Sequence, residues 1–69
     1  MRSIERRFKN IAEKYPFWSS LTCFRRAIEG QGFKKRTLYL QFNKLVEKDD
    51  YDQKEKRNIL HDLVNPKPP

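Results

Sequence analysis

Cysteine and histidine each occur once in this 69-residue chain, as Cys23 and His61. One cysteine excludes an intramolecular disulfide, and one Cys with one His does not make a metal site. A chain this short buries only ~60% of its unfolded surface, and domains of this size often depend on such a staple. Here the core has to hold by packing alone. Glycine is limited to Gly30 and Gly32. No stretch approaches the ~20 apolar residues of a membrane span. The opening run MRSIERRFKN has no apolar centre of the kind a secretory signal carries. Together with the free thiol, this leads to the expectation of a cytoplasmic protein. There is no internal repeat, no glycine-rich phosphate loop and no Ser/His/Asp set able to converge in one small domain. Neither enzymatic activity nor a cofactor is expected. No segment alternates apolar and polar residues, so no sheet is expected either.

Apolar residues at helical spacing are what the chain does have. Ile4, Phe8, Ile11, Ala12 and Tyr15 share one face of a first helix near 3–15. Ser3 can cap it, and Pro16 ends it by disfavouring the helical conformation at Tyr15. A second helix near 19–29 starts at Ser19 and buries Leu21, Phe24, Ala27 and Ile28, with Trp18 placed to fold back on Cys23 as a staple. Gly30 suits a left-handed C-cap. Leu38, Phe42, Leu45 and Val46 define a third helix near 34–47, stapled by Phe33 and Leu38. A fourth, near 52–64, carries Ile59, Leu60, Leu63 and Val64. Its start has two registers, Asp52 with Glu55 or Asp50 with Gln53, each a capping box. The expected fold is therefore all-α: a small four-helix domain over residues 1–64, followed by a flexible Pro-rich tail at 65–69.

Charge is unevenly spread. The chain holds 16 Lys and Arg against 9 Asp and Glu, a formal net charge of +7. Residues 1–48 hold 12 basic and 4 acidic residues; residues 49–69 hold 4 and 5. Attraction to a polyanion thus belongs to the first three helices. The stretch GFKKRTLYLQFNK, Gly32 to Lys44, opens a helix on Lys34, Lys35 and Arg36. A helix N-terminus is already partially positive, so cations there are misplaced unless solvated or facing an anion. The second and third helices around Gly30 and Gly32 form a candidate helix-turn-helix, with a turn longer than the most compact bacterial pattern. In that motif the second helix lies in the DNA major groove. Lys34, Lys35, Arg36 and Thr37 would meet phosphates, and Tyr39, Leu40 and Asn43 would reach base edges. Arg25 and Arg26 would widen the footprint, with Arg2, Arg6, Arg7, Lys9 and Lys14 behind them.

The same thirteen residues resemble the recognition-helix segment of the tetracycline-repressor family, with Gly32, Thr37, Leu38, Tyr39, Phe42 and Lys44 at positions where that family favours such residues. The resemblance implies a helix-turn-helix in which Tyr39 faces DNA and Lys44 lies near phosphate. The preceding helix has Ala27-Ile28 where the family usually has an apolar-then-alanine pair, and a large ligand-binding domain is not expected.

The expected function is a small basic helix-turn-helix protein that binds double-stranded DNA in transcription regulation, with dimerisation through the fourth helix as an option. Two other readings use the same face: an adaptor docking an acidic protein through Tyr39 and Leu40, and a binder of structured RNA. In Pro16-Phe17-Trp18, Phe17 or Trp18 is read as closing one end of the core rather than as a stacking platform. Cys23 is read as a small buried hydrophobe, and His61 as a residue near a helix terminus.

Overall fold

The computed structural model describes residues 3–64. It contains four α-helices, α1 (Ile4–Lys14), α2 (Ser20–Ile28), α3 (Lys35–Leu45) and α4 (Gln53–Val64), with a short 3-10 turn at Lys48–Asp50 before α4. The described residues include no strand. All four expected helices are present, each boundary within about two residues. The side chain of Val64 and the tail at 65–69 lie outside the described residues, as does Arg2.

Local chemistry explains the helix starts. The Ser3 hydroxyl accepts from the Arg6 backbone N–H, and the Ser19 hydroxyl accepts from that of Thr22. At α4, Asp52 Oδ1 accepts from the Glu55 N–H at 2.7 Å, while Glu55 Oε2 accepts from the Asp52 N–H at 3.3 Å. That reciprocal pair settles the register in favour of the Asp52 box. Asp50 has a different task. Its Oδ2 accepts from the backbone N–H groups of Ser20 and Leu21 and from the Ser20 hydroxyl, so it caps α2 across the fold. Gly30 turns the chain out of α2 with φ +73°, the left-handed conformation expected of it.

Ile4, Phe24, Ala27, Ile28, Leu38, Phe42, Val46 and Leu60 form one buried cluster, drawing on every helix. Phe24 and Phe42 are fully buried and meet edge to face, with ring centroids 5.6 Å apart. Tyr51, on the link into α4, packs against Phe42 at 5.0 Å. Cys23 is buried beside this cluster, and its thiol pKa is pushed up by burial and further by the Asp50 carboxylate. Arg7 is half-buried rather than solvated: its Nε donates to the Ala27 carbonyl at 2.8 Å, tying α1 to the C-terminal end of α2.

Of the two aromatics expected to close the end of the core, Phe17 does not and Trp18 is partly covered. Phe17 is 98% exposed and closes nothing. Trp18 is half-buried, stacked on Tyr15 at 4.0 Å with the rings 7° from parallel. Tyr15 is 37% exposed instead of sealed in the α1 face. The centre of the core is taken by Phe24 and Phe42, with Tyr51 against Phe42.

Candidate nucleic-acid interface

Three helices begin on a side chain that accepts backbone hydrogen bonds; α3 does not. Lys34 takes its N-cap position with extended backbone (φ −69°, ψ 149°) and offers no acceptor. The first-turn N–H groups of α3 therefore end beside three exposed cations, Lys34, Lys35 and Arg36. Among the described residues none of the three pairs with an acid. Asp50 and Asp52 are engaged at the starts of α2 and α4.

The rest of α3 divides by face. Leu38 and Phe42 point into the core. Arg36, Leu40 and Asn43 follow at four and three residues, which sets them on one outward stripe, all exposed. Tyr39 is 50% exposed and Leu40 57%. Lys35 and Tyr39 turn toward α4, where the Lys56 ammonium lies 5.5 Å from the centre of the Tyr39 ring. Thr37, half-buried, and Lys44 flank the stripe on the other side.

Lys44 is committed within the fold. Its Nζ donates to Glu5 Oε2 at 3.1 Å, and Lys9 reaches the other oxygen of the same carboxylate at 3.5 Å. The Lys44 hydrogen bond and charge, followed by Lys9, hold the Glu5 carboxyl below the usual carboxylate range. On α2, Arg25 and Arg26 are exposed as expected. Arg26 pairs with Glu29 at 3.2 Å and lies 5.7 Å from the Trp18 ring centre. Of the ten residues singled out from sequence, eight share α3 or its cap, and six of these lie on the outward or α4-facing side: Lys34, Lys35, Arg36, Tyr39, Leu40 and Asn43.

Sequence reasoning missed the contribution of α4. Lys56 and Arg57 stand opposite Lys35 and Tyr39 across a groove. Counting charge along the chain hides them, because Asp49, Asp50, Asp52, Glu55 and Asp62 offset them. Helical spacing reveals them: Gln53, Lys56, Arg57, Leu60 and His61 recur at three and one, a single face with no acid on it.

No family model, curated protein or solved structure matches this chain.

Proposed function

We propose that this protein binds double-stranded DNA through the outward arc of α3, set in the major groove, and acts in transcription regulation. The observation that carries the reading is the uncapped, cationic first turn of α3, exposed and without an acidic partner among the described residues. A phosphate there would accept from the free N–H groups and neutralise Lys34 and Arg36. With the backbone so anchored, Asn43 can read adenine through its amide and Leu40 can meet a thymine methyl. The local resemblance of Gly32–Lys44 to tetracycline-repressor recognition segments implies a DNA-facing Tyr39, whereas here Tyr39 turns toward α4 and the outward arc is left to Arg36, Leu40 and Asn43. Because Lys44 is held by Glu5, phosphate contact at that end of α3 requires exchanging one carboxylate for another anion. One such helix gives limited affinity, which a dimer on two half-sites would raise.

Duplex retardation at low salt is the test. The wild-type chain should shift random duplex DNA, and log affinity should fall linearly with log salt. Lys34→Ala and Arg36→Ala should each reduce that slope by about 0.9. Absence of a shift at low salt defeats the reading. A shift that RNA hairpins displace more readily than duplex favours structured RNA. One stoichiometric acidic protein retained through nuclease treatment, and lost in Leu40→Ala, favours the adaptor reading that the exposed Tyr39 and Leu40 also suit.

A further inference from the structure

Between α3 and α4 lies an open groove of about 380 Å³. Lys35 and Tyr39, one turn apart, form one wall, and Gln53, Lys56, Arg57 and His61 form the other. Leu60, only 7% exposed, closes the floor. Three permanent cations meet here, and no lining residue is acidic. None of the three has an acidic partner among the described residues. Like charges gathered on one concave surface repel each other and are relieved by a bound anion.

The lining has two chemistries side by side. Lys35, Lys56 and Arg57 suit a phosphate, and the Arg57 guanidinium can grip two of its oxygens at once. The Tyr39 ring and Leu60 offer a flat aromatic partner an apolar surface, and the Gln53 amide can both donate to and accept from a base edge. The volume lies within the ~300–1,000 Å³ typical of small-ligand sites, far more than a lone phosphate fills.

We propose that the α3–α4 groove is a binding site for a phosphorylated nucleoside, with Lys35, Lys56 and Arg57 on the phosphate and Tyr39 against the base. The same chemistry is offered by a free nucleotide and by an unpaired nucleotide in a strand. This site does not depend on duplex binding, which relies on Lys34, Arg36, Leu40 and Asn43 on the outward arc.

The test is a proton–nitrogen correlation titration of the full chain with adenosine monophosphate, with adenosine, and with inorganic phosphate. The nucleotide should move the amides of Lys35, Tyr39, Lys56, Arg57 and His61, and the other two compounds should need much higher concentration. Arg57→Gln, an exposed substitution, should leave the spectrum folded and weaken the nucleotide about tenfold or more, the loss expected for one charge-assisted contact. Inorganic phosphate acting at the same concentration as the nucleotide overturns the proposal. So do shifts that fall outside the groove, an absence of shifts, or unchanged affinity in Arg57→Gln. Once the nucleotide has bound, a short single-stranded oligonucleotide that displaces it identifies an unpaired nucleotide in a strand as the source. One that leaves the groove amides unmoved identifies the free nucleotide. Duplex retardation by Arg36→Ala, measured alongside, reports on the other surface, so either proposal can fail alone.

Discussion

Asp50 caps a helix that begins thirty residues before it: its Oδ2 accepts from the Ser20 backbone N–H at 3.0 Å. The same oxygen takes the Ser20 hydroxyl and the Leu21 N–H, while the Ser20 hydroxyl oxygen accepts from the Glu47 N–H at 2.8 Å. One carboxylate thereby joins the N-terminus of α2 to the link between α3 and α4. Its negative charge also meets the positive end of the α2 dipole. Asp50→Ala should therefore destabilise the fold by about 1–3 kcal/mol, as expected for losing a cap and leaving half-buried donors unpaired. Asp49→Ala, at an exposed site with no such partners, should change stability by less than about 0.5 kcal/mol. Urea unfolding of the two variants checks the contrast. Because the Asp50 charge helps push the Cys23 thiol up, Asp50→Asn should also bring that thiol pKa down toward its ordinary value.

Glu5 gives a pH signature of fixed sign. Lys44 and Lys9 lower its pKa in the folded chain. A lowered folded pKa means the unfolded chain binds the proton more tightly. The resulting stabilisation is complete above the unfolded pKa and is lost as pH falls through the folded one. The carboxylate is solvent-accessible, so the effect on stability is small and screened by salt. The sharper readout is the carboxyl titration itself, followed by carbon NMR: Lys44→Met should raise the Glu5 pKa, and Lys9→Met should raise it less.

Aromatic residues in this chain carry very unequal weight. Phe17 is 98% exposed, so Phe17→Ala should leave stability within about 0.5 kcal/mol of wild type. Phe42 is fully buried and touches both Phe24 and Tyr51. Phe42→Ala should cost about 3–5 kcal/mol, comparable to the entire stability of a domain this small. Circular dichroism melts should show an unshifted transition for the first and loss of the cooperative transition for the second.

The two glycines separate backbone strain from side-chain space. A methyl group would meet nothing within 4 Å at either Gly30 or Gly32. Only Gly30 sits at positive φ, +73°. Gly30→Ala should thus destabilise by about 1 kcal/mol through conformation alone, whereas Gly32→Ala should be neutral or stabilising by about 0.5 kcal/mol. Thermal unfolding of both variants measures the difference.

Arginines likewise divide between fold and surface. Arg7→Ala removes the hydrogen bond to the Ala27 carbonyl and should cost about 0.5–1.5 kcal/mol. It should leave the salt slope of duplex binding unchanged. Arg36→Ala should do the reverse, with wild-type stability and a shallower slope. Measuring stability and the slope on both variants tests the assignment of each cation.

Much of the fold was legible in the residues because its signals are local. A capping side chain lies within three residues of the N–H it accepts from, as at Ser3, Ser19 and Asp52. A buried helical face repeats within two turns, and Gly30 needs only its own φ. The basic opening of α3 was equally readable, since adjacency in sequence guarantees adjacency in a first turn. The rest depends on where helices meet. Asp50 looked like a cap for its own helix, but the acceptor serves whichever N-terminus the packing brings to it, and that is α2. Lys44 looked free until α1 placed Glu5 against it, 39 residues away in the chain. Phe17 and Trp18 looked equally able to close the core because both are large and apolar; in the packed chain Trp18 is half-buried on Tyr15 and Phe17 is exposed. The α3–α4 groove existed only as two separate runs of cations until the core at Leu38 and Leu60 set their helices side by side. Helix period and end chemistry act over one or two turns, while charge neutralisation and burial act through space, and only the packed chain fixes which groups are neighbours.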